Sequence, residues 1–278
     1  MVSVAEDKKK RKATLTSRLA LWRPLVQSVF AMVWLAPGLR MHTMCSPVFH
    51  CHACPLATFA CPIGVIAHFS ALQTIPYVAI GVIVIFGALF GGFMCGWVCP
   101  FGFLQDLIGK IPTRKFTLPM WAGYFRYVVL LLLVLALPYW LGEETSWFIC
   151  RLCPAGALES AVPNVVKAMA AGAEDIPWPS TIKMVILGVF LVAVFFVRRP
   201  WCTVFCPLGA IYGLFNRVSF FLLRFNRKDC IDCKNCRSMC QYGGRTEIRI
   251  PSGTCNRCLA GEKCHAVSLG TVLDRPDE

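Results

Sequence analysis

The chain has 278 residues, of which 56% are hydrophobic and only 15% charged, and its mean hydropathy is +0.60. A soluble domain rarely carries so little charge, so the composition indicates a membrane protein. The net charge of +13 does not indicate a nucleic-acid partner, because Lys and Arg gather beside the apolar runs, where membrane orientation and anionic headgroups account for them.

Four apolar runs predict transmembrane helices, because crossing about 30 Å of hydrocarbon takes about 20 residues. They are Leu19–Leu39, Ile75–Met94, Trp121–Leu141 and Ile182–Val197. The first run follows a basic stretch but lacks a small-residue cleavage site, which favours a retained anchor over a signal peptide. Basic residues flank the first, second and fourth runs, so both termini are predicted to face the cytoplasm.

The cysteines repeat in step with these runs. The tetrapeptide Cys-Pro-x-Gly occurs four times, beginning at Cys61, Cys99, Cys153 and Cys206. Proline suits the first position of a helix, so each motif predicts a cysteine at a helix N-terminus, where the dipole favours a thiolate or an anionic iron–sulfur cluster. The predicted fold is an α-helical membrane protein in which four transmembrane helices form two repeated hairpins over residues 19–225, between a basic N-terminus at 1–18 and a ferredoxin-like tail at 226–278.

On the predicted cytoplasmic side, each hairpin ends in a Cys-x3-Cys pair. The four thiolates match the ligands of one [4Fe–4S] cluster, and they belong to Cys95, Cys99, Cys202 and Cys206. Zinc also accepts four thiolates, but a structural zinc has no evident use in two membrane hairpins.

On the predicted periplasmic side, a second cluster is expected on Cys150 and Cys153 with two further cysteines. The spacing does not choose among three candidates, Cys51, Cys54 and Cys61. Disulfides are an alternative on this oxidising side, although they leave the four inner cysteines unexplained.

The tail carries two cysteine runs. The first has the spacing of a bacterial ferredoxin, and the second is one cysteine short because Gly261 stands at the expected third position. One [4Fe–4S] cluster is predicted on Cys230, Cys233, Cys236 and Cys264. A second, on Cys240, Cys255 and Cys258, would have three irons or a non-cysteine ligand, for which His265 is a candidate, although a surface histidine is the preferred interpretation. The chain is therefore expected to hold about three to four clusters.

The remaining histidines give weaker signals. The first predicted outer loop contains methionines, Cys45 and three histidines: His42, His50 and His52. Such side chains are suitable ligands for copper, and paired histidines for haem, but a plain interfacial loop is the preferred interpretation. His68 is expected to be a polar-face residue on the helix that follows Cys61.

The two Cys-x3-Cys-Pro motifs and the ferredoxin tail resemble the polyferredoxin-type membrane proteins exemplified by NapH. The resemblance implies a multi-pass protein of the bacterial inner membrane that relays electrons between the quinol pool and a periplasmic redox protein, with a cytoplasmic ferredoxin as an alternative donor. An electron-transfer subunit of a quinol dehydrogenase is expected, rather than a self-contained enzyme. Two alternatives remain: a reductase for maturing a periplasmic metal centre, and a DsbB-like thiol–quinone protein.

Overall fold

The computed structural model describes residues 15–35, 61–116, 118–170, 172, 178–225, 255 and 267–271. These residues are mostly helical. The helices before the midpoint are α1 (Leu15–Leu35), α2 (Pro62–Ala71), α3 (Tyr77–Phe90), α4 (Pro100–Gly109) and α5 (Met120–Leu141). Those after it are α6 (Ile149–Leu152), α7 (Pro154–Gly156), α8 (Val162–Ala170), α9 (Thr181–Phe196) and α10 (Pro207–Leu214).

Several helices contain or adjoin wider and tighter turns. Helix α5 passes from a 3₁₀ turn at Met120–Tyr124 through Phe125–Val129 to a π-helical stretch at Leu130–Ala136 and ends with Leu137–Leu141. Other π-helical turns lie at Met94–Val98, Ala157–Ala161 and Trp201–Phe205, and a 3₁₀ turn at Phe215–Arg217 follows α10.

The prediction of four transmembrane helices is wrong. Within the part of the chain that the structure describes, α5 is the one helix long and apolar enough to cross a membrane. The other two apolar runs in that part are shorter as helices, because α3 has 14 residues and stops at Gly91 with φ of +52°, and α9 has 16. The predicted multi-pass topology with both termini in the cytoplasm therefore has no support.

Helix α1 covers most of the first apolar run, but one of its faces is polar and buried. Arg23 and Gln27 are 8% and 2% exposed, and both donate hydrogen bonds to the backbone carbonyl of Gly96. This helix therefore packs against the protein through charged and amide side chains, which a membrane span does not need.

The Cys-Pro-x-Gly motifs do begin helices, as predicted. Pro62, Pro100, Pro154 and Pro207 each occupy the first turn, and the preceding cysteine is the N-cap residue. The Cys61 sulfur accepts a hydrogen bond from the N–H of Gly64 at 3.4 Å, and that of Cys206 accepts one from Gly209 at 3.5 Å. The buried core forms around these helix starts, so the motif cysteines lie inside the protein.

A two-stranded sheet follows the helices. Strand β1 (Phe221–Phe225) pairs antiparallel with β2 (Val267–Thr271), with Phe221 opposite Thr271. The pairing brings together the two segments of the chain that precede and follow the tail cysteines.

Candidate metal centre

The two inner Cys-x3-Cys pairs share one local geometry. In each pair, a five-residue π-helical turn, Met94–Val98 or Trp201–Phe205, leads to the second cysteine and then to a helix begun by proline. The N–H groups of Cys99 and Cys206 each donate to the carbonyl five residues earlier, at 3.2 and 2.9 Å. Both cysteines then have extended backbone, with ψ of 117° and 111°. The repeat in sequence is therefore a repeat in structure.

The four inner cysteines line one cavity. Each is less than one-tenth exposed. The full lining comprises Cys95, Cys99, Cys202 and Cys206 with Met94, Leu208, Gly209 and Tyr212. The structure thus brings together the thiols of both halves, and their role as iron ligands remains a prediction.

The donor set agrees in number and kind with an iron–sulfur cluster. Among the described residues, no three Cys, His, Asp or Glu side chains are grouped so as to hold one metal ion. Four thiols around one cavity match the number of ligands of a [4Fe–4S] cluster, which takes one thiolate per iron. In the described part of the chain no carboxylate lines the cavity, and sulfur donors suit the soft metals, which include iron–sulfur clusters as well as zinc and Cu(I). Bound there, such a cluster would supply one-electron redox chemistry.

Burial disfavours the charged thiolate form of the cysteines in this cavity. Desolvation raises the pKa of the Cys95, Cys202 and Cys206 thiols, and neighbouring cysteines raise that of Cys95 and Cys206 further. The positive charges of Arg126 and Arg199 lower the pKa of Cys95 and Cys202. Loading of the site must therefore displace protons, and the buried arginines stabilise the thiolates that result.

Arg199 connects the cavity to the partly buried carboxylate of Asp106. It is 1% exposed, and its Nη1 donates to the carbonyl of Cys95 at 3.1 Å. Its Nε donates to Oδ1 of Asp106 at 2.6 Å, while its Nη2 contacts Oδ2 of the same carboxylate. This bidentate ion pair positions the guanidinium against the π-helical turn that carries Cys95.

Helix α1 contributes a second arginine, Arg23, to the same carboxylate. Arg23 also contacts Asp106, and its Nε donates to the Gly96 carbonyl at 3.1 Å. Burial opposes the charge of Asp106, but the attraction of Arg199 and Arg23 outweighs it and holds the pKa of Asp106 below its usual value. Two arginines share one carboxylate, so the Arg23–Asp106–Arg199 cluster is net positive beside the thiols.

The glycines of the inner motifs leave room for this arrangement. A Cβ on Gly102 would lie 3.2 Å from the Cys95 carbonyl and 3.3 Å from Nη1 of Arg199. A Cβ on Gly209 would lie 3.3 Å from Nη1 of Arg126. The motif glycine therefore allows a buried arginine to approach the helix start.

Gln105 donates a hydrogen bond directly to a cavity sulfur. The residue is 1% exposed, and its Nε2 lies 3.1 Å from Sγ of Cys202. It belongs to α4, which starts after Cys99, so the first half of the repeat donates to a thiol of the second. Sequence reasoning missed Gln105, although an amide among the apolar residues of a motif helix was a visible signal.

We expect Gln105→Leu to lower the reduction potential of the centre in this cavity. A hydrogen bond to a charged sulfur is worth about 1.5 kcal/mol, and because it strengthens when the centre is reduced, its loss can lower the potential by up to about 60 mV for one electron. Redox titration followed by EPR measures the shift, and equal iron content in both proteins is the control. An unchanged potential would show that Cys202 is not a cluster ligand or that the bond is absent in solution.

The structure describes three of the five predicted outer ligands. Cys61 and Cys153 are 4% and 6% exposed and belong to the same buried core, and Cys150 is half-buried beside it. Cys51 and Cys54 lie outside the described residues. An outer cluster therefore stays a prediction.

The tail and the histidines are described only in part. Cys255 is described, and its carbonyl accepts a hydrogen bond from Nδ2 of Asn216 at 2.8 Å. His68 lies on α2 with a side chain 38% exposed, and its Nδ1 lies 2.6 Å from Oε2 of Glu143. The other tail ligands and histidines lie outside the described residues: Cys230, Cys233, Cys236, Cys240, Cys258, Cys264, His265, His42, His50 and His52.

Comparisons with known proteins agree with this geometry. A family profile for a 4Fe-4S binding domain matches the chain twice, at residues 72–119 and 180–228, and each match contains one inner cysteine pair. The uncharacterized protein MJ0750 of Methanocaldococcus jannaschii is 32% identical over 188 residues, which are 64% of this chain and 70% of that protein.

Two relatives carry more informative names. The putative electron transport protein YccM of Escherichia coli is 31% identical over 66% of this chain and 51% of its own length. The ferredoxin-type protein NapH of Haemophilus influenzae is 28% identical over 57% of this chain. The chain spans about half the length of each. No solved structure gives a significant match.

A duplicated 4Fe-4S binding domain whose cysteines meet around one cavity defines an iron–sulfur electron-transfer protein. The chain belongs to the NapH-like polyferredoxin family.

Proposed function

We propose that the protein relays electrons between the quinol pool and a redox partner on the periplasmic side of the inner membrane. The observation that carries the relay is the cavity in which four buried thiols of the two halves meet. A pair of motifs that shares one centre supports electron transfer rather than a thiol exchange, because exchange needs accessible sulfur.

The apolar surface supports a membrane position. Helix α5 is long enough to span, and its Trp140 is 78% exposed. The shorter helices α3 and α9 also carry exposed large apolar side chains, including Val78 and Val189. Exposure of such apolar surfaces to water is unfavourable, and contact with lipid chains would remove that exposure.

Charge at the two ends of α5 favours one orientation. Lys110, Arg114 and Lys115 precede its first residue, whereas Glu143 and Glu144 follow its last. The positive-inside rule then places the start of α5 at the cytoplasmic face.

A histidine–glutamate pair lies near the opposite end of α5. Oxidation of a quinol releases two electrons and two protons, so a quinol site needs groups that take protons as well as a route for electrons. The His68–Glu143 pair is an imidazole–carboxylate pair at the end of the apolar helix. Imidazole and carboxylate groups are the kinds of side chain that quinol chemistry uses, and their position supports quinol as the proposed donor.

Two measurements on anaerobically purified full-length protein test this function. Iron and acid-labile sulfide should be present at several atoms per chain, because each [4Fe–4S] cluster contributes about four of each. A menaquinol or ubiquinol analogue should then bleach the cluster absorbance, and Cys95→Ala should interrupt delivery to an added periplasmic acceptor.

The contrary results point to specific alternatives. Absence of iron and sulfide would favour the DsbB-like thiol–quinone role. If quinols leave the clusters oxidised while a reduced cytoplasmic ferredoxin reduces them, electrons enter from the cytoplasm and the quinol role is wrong.

A further inference from the structure

Each of the two inner cysteine motifs has a buried arginine against its glycine. A Cβ on Gly102 would lie 3.3 Å from Nη1 of Arg199 and 3.2 Å from the Cys95 carbonyl. A Cβ on Gly209 would lie 3.3 Å from Nη1 of Arg126 and 3.4 Å from the carbonyl of that motif's own first cysteine. In both motifs, therefore, a guanidinium group and the carbonyl of the first cysteine lie against the same side of a helix start.

The two arginines reach these places from different elements. Arg126 lies on α5, whereas Arg199 lies three residues before the second cysteine pair and donates to the Cys95 carbonyl of the first pair at 3.1 Å. The position three residues before the first pair holds Gly92. Duplication of the hairpin therefore does not explain the match, because a duplicated contact would use the same position in both halves. The match indicates a requirement of the cavity itself.

Arg199 occupies its place at a conformational cost. Its φ is +48°, in the left-handed region that favours glycine. The side chain is 1% exposed, so this backbone conformation does not direct the guanidinium to water. A long charged side chain at a position where glycine is easier to accommodate indicates that the charge itself is needed there.

Arg126 is fully buried near the start of the apolar helix α5. Removing a guanidinium group from water is costly, and negative charge nearby offsets that cost. The charge of Arg126 lowers the pKa of three cavity thiols, those of Cys95, Cys202 and Cys206. Arg126 therefore acts on the cysteines of both halves.

The charged side chains beside the cavity have a net positive charge of two units. The count is three guanidinium groups, of Arg23, Arg126 and Arg199, against one carboxylate, of Asp106. Four thiolates around a doubly positive iron–sulfur core form a dianion. The fixed charge of the protein is therefore equal and opposite to that of such a group.

We propose that Arg126 and Arg199 are specificity-determining residues that match the four-thiol cavity to a dianionic group. This inference rests on the proposed iron–sulfur function. One-electron reduction makes the bound group more negative, so each fixed positive charge favours the reduced form and raises the reduction potential. Asp106 opposes the arginines, because its negative charge favours the oxidised form.

The test removes charges of opposite sign in the anaerobically purified full-length protein. Arg126→Gln removes a positive charge, Asp106→Asn removes a negative one, and Arg126→Lys keeps the charge but changes the shape. Arg198→Gln is the matched control, because Arg198 is exposed and adjoins Arg199 in the chain. Redox titration followed by EPR measures the reduction potential, iron analysis measures loading, and the cavity centre is the signal that Cys95→Ala removes.

We expect Arg126→Gln to lower the ratio of reduced to oxidised centre about tenfold at a fixed potential, which is a shift of about 59 mV to lower potential. Asp106→Asn should shift the potential the other way, and by less, because its carboxylate is partly exposed to water. Arg126→Lys and Arg198→Gln should stay close to the unmodified protein. Opposite shifts identify a charge effect, because damaged packing does not depend on the sign of the charge removed.

Three results would overturn the inference while leaving the proposed function intact. They are an unchanged potential in Arg126→Gln, equal shifts in Arg126→Gln and Arg126→Lys, and shifts of the same sign in Arg126→Gln and Asp106→Asn. If Asp106→Asn does not hold iron, the two Arg126 variants decide alone.

Loss of iron from Arg126→Gln is decided by Arg126→Lys. If the lysine variant keeps the iron and the potential, the positive charge is what holds the dianionic group, and the inference stands. If it also loses iron, Arg126 serves folding and the inference is wrong. If the unmodified protein itself contains no iron and sulfide, the proposed function fails instead.

Discussion

Replacing Asp106 by alanine is expected to lower the free energy of unfolding by about 3–5 kcal/mol, because removing one partner of a buried ionic group leaves uncompensated charge in the interior. Here two guanidinium groups lose their shared carboxylate, since Arg23 and Arg199 both contact Asp106 and are 8% and 1% exposed. The midpoint of thermal unfolding should fall by at least about 6 °C for a chain of this size. Tryptophan fluorescence can follow the transition.

The matched control is Glu144→Ala. Its carboxylate lies 3.7 Å from Arg151, but the side chain is 95% exposed, so the pair is screened by water. Such a pair contributes at most about 1 kcal/mol. If Asp106→Ala shifts the midpoint no more than Glu144→Ala does, the buried ionic cluster does not hold in solution.

The local structure of the inner cysteine motifs was the feature that the sequence predicted best. A Cys-x3-Cys-Pro-x-Gly motif encodes its own local geometry, because proline begins the helix and the preceding cysteine becomes its N-cap. Two copies at matching places in a duplicated unit then predict that the pairs meet. Cys95 and Cys202 do line one cavity, as that reasoning requires.

The helix count was predicted poorly for a physical reason. Hydropathy measures the length of an apolar run and not the length of the helix within it. The run Ile75–Met94 contains Gly91, where φ of +52° ends α3, and the last residue of that run already belongs to a π-helical turn. Pattern alone could not show this break, because glycine also occurs within transmembrane helices.

The buried charges were missed because basic residues were interpreted only as topology signals. Arg126 lies within the apolar run Trp121–Leu141, and an ionisable residue inside such a run commonly marks a functional site. It is fully buried, and its charge acts on the cavity thiols. That its guanidinium lies close to the helix start at Gly209 depends on tertiary structure, which one sequence does not show.

Cys99→Ala and Cys206→Ala are each expected to remove the same cluster, with a loss of about four iron atoms per chain in either variant. Neither Cys-x3-Cys pair can fill four coordination sites alone, and the two second cysteines line the same cavity from different halves of the repeat. Iron analysis and EPR of anaerobically purified protein measure the loss.

The double variant distinguishes a shared site from two separate ones. Residues that act as one unit are not additive, so Cys99→Ala combined with Cys206→Ala should lose no more iron than either change alone. Cys45→Ala is the control, because Cys45 stands outside the repeated motifs and should keep the full iron content. Loss of different EPR species from the two single variants, or twice the loss from the double variant, would mean that each half holds its own centre. The meeting of the four thiols in one cavity would then have to serve another purpose.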